Sequence, residues 1–203
     1  MRSHEVKSKL KKVWHFIWED DSIWSWIVNI VLAFVLIKFV VYPGLGFLLS
    51  TSHPVVAVVS ESMEHSGLSF DDWWKDQGSW YEQNGISKEM FREFSLRRGF
   101  NKGDIMVLKG VTQDTVQLGD VIVFTSARRD PIIHRIVIIR DGNTKTFQTK
   151  GDNNRISIKN EQLDETNITE NRMIGKAIIR IPFLGYIKIA FVELLKLVGV
   201  VSG

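Results

Sequence analysis

The sequence predicts a mainly β protein: a strongly coiled antiparallel β-sheet domain carried on an N-terminal transmembrane helix. Three observations predict it. Residues 23–49 form an almost unbroken apolar stretch of membrane length. After Val55 the pattern changes to short Val/Ile-rich runs separated by Gly and Asp, as in strands buried on both faces. Between those runs, residues 66–99 read as a helical, Trp-rich insert.

Residues 1–22 are basic, with Arg2, Lys7, Lys9, Lys11 and Lys12, and after Lys38 no Lys or Arg follows until Lys75. The positive-inside rule then puts the N-terminus in the cytoplasm and the remainder on the extracytoplasmic face of the cell membrane. Trp14, Trp18, Trp24 and Trp26 would form an interfacial belt. Lys38 has a stem long enough to snorkel, and Pro43-Gly44 is expected to end or kink the helix. The apolar stretch is too long for a signal peptide and no A-x-A site follows it, so a retained anchor is expected.

Residues 50–181 are expected to be the extracytoplasmic β domain. Its runs are Val55–Val59, Ile105–Leu108, Val121–Phe124, Ile132–Ile139, Lys145–Thr149 and Lys176–Ile181, and Asp141-Gly142-Asn143 reads as a hairpin turn. In the insert, Ser69 and Ser87 are positioned to cap two helices, the second carrying Met90, Phe91 and Phe94 on one face and stopping at Gly99. The insert serves either as a lid or membrane shelf, or as a satellite core on the sheet. In residues 182–203, Lys188, Glu193 and Lys196 fall within one arc at about 100° per residue, which predicts an amphipathic interfacial helix or a short membrane helix.

A length of 203 residues, 44% of them hydrophobic, suits one modest domain plus membrane segments. A net charge of +3 with no long basic stripe argues against a nucleic-acid partner. The absence of Cys excludes disulfides, thiolate chemistry and Cys-based zinc sites. There is no metal-ligand cluster and no phosphate loop, so neither a metal nor another cofactor is expected.

The candidate chemistry begins at Ser60-Glu61-Ser62, at the end of an apolar run. On a strand the two hydroxyls would lie side by side, one to attack a carbonyl and one to hold an oxyanion. Of five histidines, His4 and His15 precede the span, and His53 and His65 flank the serines in sequence. His134 sits within an apolar strand, Pro131 to Val137, where a polar ring must find partners and where its direction is fixed. Asp152, in Thr149-Lys150-Gly151-Asp152-Asn153-Asn154, is either an Asx-turn residue or a carboxylate that orients the imidazole.

These boxes resemble those of type I signal peptidases, in particular the archaeal and endoplasmic-reticulum branch. Ser60-Glu61-Ser62-Met63 resembles the S-x-S-M nucleophile box, and Gly119-Asp120-Val121-Ile122-Val123-Phe124 a family strand. His134-Arg135-Ile136 resembles the box where this branch carries His and bacterial relatives carry Lys. Residues 149–154 resemble the T-K-G-D-N-N box, and Gly175-Lys176 with Ile181-Pro182-Phe183-Leu184-Gly185 the closing strand. The insert is not in the minimal family pattern. The second Asp that often follows G-D-N-N is also missing, since Arg155-Ile156-Ser157-Ile158 stands there; Asp164 is a candidate second acid.

The resemblance implies a membrane-bound serine endopeptidase that removes signal peptides from exported preproteins. Ser62 would be the nucleophile, His134 the general base and Asp152 the orienting acid, with the Ser62 N–H and Ser60 hydroxyl as oxyanion donors. An extended substrate with small side chains at the first and third positions before the cut is implied, with preproteins, the bilayer and the translocation machinery as partners. Two other readings stay open: a Ser–Lys dyad using Lys150 or Lys109, and a non-catalytic membrane-tethered β domain that binds peptides or partner subunits.

Overall fold

A computed structural model describes residues 2–142, 144–186 and 190. The chain forms two compact units, residues 1–48 and residues 49–203. The C-terminal helix expected in 182–203 lies, apart from 182–186 and 190, outside the described residues, and so does Asn143 of the expected hairpin turn.

The first unit is helical. Helix α1 spans Arg2–Trp18 and α2 spans Ile23–Leu36, capped by Ser22, whose side chain accepts from Ser25 N–H. A wider π turn, Ile37–Val41, leads into α3, Tyr42–Leu48. Ile23–Leu48 is thus a continuous 26-residue helical stretch, long and apolar enough to cross a membrane and almost wholly exposed. Pro43-Gly44 does not end it. Pro43 falls in the first turn of α3, directly after the π turn, where a missing N–H costs little. Lys38 lies in the π turn, with its ammonium over the Phe34 and Phe39 rings.

The second unit is a six-stranded antiparallel sheet with helices on it. The strands are β1 Val55–Ala57, β2 Ile105–Lys109, β3 Val121–Phe124, β4 Ile132–Arg140, β5 Thr146–Lys150 and β6 Met173–Ile181. Their order is β1-β2-β6-β3-β4-β5, with register irregularities in the β2–β6, β3–β6 and β4–β5 ladders. The sheet is open, with β1 and β5 at its two ends, and lacks the strong coiling expected from the sequence.

Central β3 explains why its run is apolar throughout. Val121 and Val123 enter a core with Met63, Phe100, Met106 and Leu108 on one face. Ile122 and Phe124 enter a second core with Ile136, Phe147, Leu163 and Ile168 on the other. The insert forms α4, Phe70–Gln83, and α5, Lys88–Arg92, capped by Ser69 and Ser87. Trp73, Trp74, Tyr81, Ile86 and Phe91 form a third core that packs on Val137 of β4. Within α5 only Phe91 is buried; Met90 is exposed, and the helix ends at Arg92 rather than at Gly99.

This packing predicts a contrast in stability. Phe147→Ala in the second core should cost about 3–5 kcal/mol, while Ile178→Ala on exposed β6 surface should stay within about 0.5 kcal/mol. Denaturant unfolding of the two variants in detergent checks this.

Candidate active site

The site is built where β4 begins. Alternation along a strand sends neighbouring side chains to opposite faces. His134 goes to the face of Ile136, and Arg135 goes to the face of Val137 and the insert. Both are buried. Cross-strand partners follow the same division: Thr149 pairs with Ile136 on one face, and Lys150 pairs with Arg135 on the other.

On the first face three groups meet. His134 Nε2 lies 2.8 Å from Ser62 Oγ. His134 Nδ1 meets the Glu165 carboxylate. Glu165, fully buried, also accepts from the Thr149 hydroxyl at 3.1 Å and from Ile158 N–H at 2.6 Å. A carboxylate against Nδ1 favours the tautomer with the proton there, which leaves the Nε2 lone pair facing the serine hydroxyl. Such an arrangement can take a proton from Ser62.

Ser60 and Ser62 are not on a strand. β1 ends at Ala57, and a tight turn follows in which Glu64 N–H donates to the Glu61 carbonyl. The hydroxyls are nevertheless 3.1 Å apart. The turn is held by the 151–154 loop: Asn153 N–H donates to the Ser62 carbonyl at 2.8 Å, and Asn153 Nδ2 donates to the Glu61 carbonyl. Gly151 permits this approach, since a Cβ there would lie 2.7 Å from the Ser62 carbonyl oxygen. A cleft of about 390 Å³ opens here, lined by Ala57, Val59, Ser60 and Ser62 on one side and Ile132 to His134 on the other.

Asp152 is on the opposite face, which corrects the expectation that it orients the imidazole. Its carboxylate accepts from Arg135 through Nε at 2.9 Å and Nη2 at 2.7 Å, from Tyr81 Oη at 3.1 Å and from His65 Nε2 at 3.2 Å. Burial would raise the Asp152 carboxyl, but the Arg135 charge and the hydrogen bonds from His65 and Arg135 hold it well below the ordinary carboxylate range. The rest of the Arg135 guanidinium donates to the carbonyls of Ser95, Leu96 and Gly119 and lies 4.8 Å from the Phe91 ring centroid. His65 stacks on Trp73 at 3.9 Å. The insert is thereby fixed to a buried ion pair.

Asp164 is also displaced from the imidazole. Its carboxylate accepts from the Thr166 N–H and hydroxyl, the local turn habit of Asp before Thr. Lys150 is buried on the Arg135 face, donating to Tyr81 Oη at 3.3 Å and to the Gly151 carbonyl at 3.1 Å. Lys109 is exposed at the end of β2. His53 pairs with the neighbouring Ser52 hydroxyl. Among the described residues no three His, Asp or Glu side chains gather as a metal ion would require.

Glu165 is the functional candidate that sequence reasoning missed. The one available signal was local: Asp164 is committed to its own turn by Thr166, which leaves the next acid to reach inward. His65, Tyr81 and Arg135 were missed for another reason, since they lie 87, 71 and 17 residues from Asp152 along the chain, in ways no local pattern encodes.

Comparison with known proteins agrees with the sequence boxes. No family model matches the chain. It is similar to the signal peptidase complex catalytic subunit SEC11C of Homo sapiens, 30% identical over 99 residues, covering 47% of this chain and 52% of the relative. The catalytic subunit SEC11 of Colletotrichum graminicola is 32% identical over 106 residues, covering 49% and 60%. That of Pyricularia oryzae is 32% identical over 104 residues, covering 49% and 60%. The chain spans little more than half the length of the curated relatives it matches. The resemblance to signal peptidases of the archaeal and endoplasmic-reticulum type is thereby borne out.

The buried ammonium gives a pH prediction. Burial pushes the Lys150 amine down to about 8, against the pull of Asp152 and Glu165. An unfolded lysine titrates near 10.4, so between these values the unfolded chain holds a proton that the folded chain has released. Stability contributed at this site therefore rises as pH increases from about 8 toward 10.4. Thermal melting across that range should show the rise in the native chain and lack it in Lys150→Met.

Proposed function

We propose that this chain is a membrane-bound serine endopeptidase that cleaves signal peptides from exported preproteins. The observation that carries the reading is the line from Ser62 Oγ through His134, 2.8 Å away, to the buried Glu165 carboxylate. Ser62 attacks the scissile carbonyl while His134 takes its proton through Nε2. The imidazolium so formed is stabilised by Glu165, and His134 then returns the proton to the leaving amine. The Ser62 N–H and Ser60 hydroxyl are the oxyanion donors. The acid assigned from sequence, Asp152, takes a structural part instead: with Arg135 it holds the loop on which Ser62 rests.

The substrate enters extended. β1 is an end strand, and β5 pairs with β4 only from Arg135 onward, so Ile132 to His134 have one unpaired edge beside the cleft. A peptide strand can add there by backbone hydrogen bonds. The helical stretch Ile23–Leu48 is read as a membrane anchor with the N-terminus cytoplasmic and the β domain extracytoplasmic. A signal peptide shares that bilayer, and confinement of both raises their effective concentration. Since the relatives are named as subunits of a complex, partner subunits are proposed; the translocation machinery is proposed beside them because it is where an exported preprotein would emerge.

The test is cleavage of a preprotein in detergent. Ser62→Ala and His134→Ala should each lower the rate by about 10⁶-fold, and Ser60→Ala by about 10²–10³-fold. Glu165→Gln should lower it by about 10⁴-fold with the fold intact by circular dichroism. Full activity in Glu165→Gln would remove that residue from the mechanism. A native chain that yields no shortened product would leave a peptide-binding β domain as the reading.

A further inference from the structure

Helix α1 has an apolar stripe that nothing covers among the described residues. At about 100° per residue, Val6, Val13, Trp14 and Ile17 share one side, while Ser8, Lys11, Lys12 and His15 lie opposite. Val6, Val13 and Trp14 are each more than half exposed, and only the last turn, at Phe16 and Ile17, is partly covered.

That last turn is fastened to the apolar stretch that follows it. A helix leaves its final carbonyls without partners. Here Ser25 Oγ donates to the Phe16 carbonyl at 2.6 Å, and Asn29 Nδ2 donates to the Ile17 carbonyl at 2.9 Å. Ser25 and Asn29 occupy the first two turns of α2, after a polar connection in which Asp20 accepts from Ser22 N–H. The C-terminal end of α1 is therefore held at the depth where the span leaves the headgroups.

Two hollows fix which side faces which way. Ile17, from the apolar stripe, shares one with Trp18, Asp20 and Asp21 at the connection and with Trp26, Asn29, Ile30 and Ala33 of α2. Ser8, Lys11, Lys12 and His15, from the polar side, share another with Asp20, at the start of the span. Asp20 borders both, but of the two only the hollow on the stripe side reaches residues of α2, while among the described residues the hollow on the lysine side meets nothing beyond Asp20.

We propose that α1 lies in the plane of a membrane interface, its Val6–Val13–Trp14–Ile17 stripe in the headgroup–acyl boundary and its lysines on anionic headgroups. The occupant is a lipid surface because the stripe is continuous with a span of the same medium and is backed by cations on the other side of the helix. The inference rests on Ile23–Leu48 crossing a bilayer and is independent of the peptidase reading.

The chain has no Cys, so single cysteines report position cleanly. Full-length Val6→Cys, Val13→Cys, Ser8→Cys and Lys12→Cys variants, in nanodiscs of phosphatidylcholine and phosphatidylglycerol, are labelled with a water-soluble maleimide. Val31→Cys, within the span, is the control. Positions 8 and 12 should react about tenfold faster than 6 and 13, with position 31 unreactive, and the contrast should weaken in pure phosphatidylcholine. Equal rates at all four positions with 31 protected would overturn the proposal. So would protection that appears only in native membranes, which would assign the stripe to a protein partner. Rapid labelling at 31 would instead bring down the span itself.

Discussion

The site depends on the two-residue period of one strand. β4 delivers His134 and Arg135 consecutively, so a rigid backbone sends an imidazole to one face and a guanidinium to the other. Each then meets its own carboxylate, Glu165 or Asp152. A slip of one residue in the β3–β4 register would exchange the two faces and place a fixed charge against Ser62. The pairing of Ile122 with His134 and Val121 with Arg135, backed by apolar cores on both faces of β3, opposes that slip.

This division explains why two acids are needed so close together. Asp152 has a bidentate guanidinium, a phenol and an imidazole around it, and four donors leave it no free direction. Its main-chain neighbourhood is what reaches Ser62, through Asn153 N–H and the close approach of Gly151. The 149–154 segment therefore serves both faces. Thr149 steadies Glu165, Asp152 neutralises Arg135, and the turn between them holds the serine loop.

Much of this was legible in the sequence, because strands with two buried faces must be apolar and hydroxyls at helix starts must cap. The Val121–Phe124 run and the Ser69 and Ser87 caps follow from such local rules, whereas the Ser62–His134 pairing, 72 residues apart, was expected from the resemblance of their boxes. Asp152 was expected beside the imidazole, yet the two-residue period continued past β5 places it elsewhere: it shares a side with Lys150, the cross-strand partner of Arg135, and not with Thr149, the partner of Ile136. Glu165 reaches inward from an irregular segment whose path is set by long-range bonds to Ile158 and Thr149. No periodicity announces a residue of that kind. Of the two outcomes expected at Pro43, an end or a kink, the end did not occur: the helix runs on through a π turn that stands directly before it.

The way the insert grips the sheet has a consequence for how the domain opens. Its helices shield a guanidinium that also accepts shelter from the Ser95 and Leu96 carbonyls, and its Tyr81 and Trp73 close over the Asp152–His65 contact. Lifting α4 and α5 away would strand charge in a nonpolar setting, so the segment has no cheap partial excursion. It should exchange its amide hydrogens with the sheet, as one cooperative block, rather than fray ahead of it.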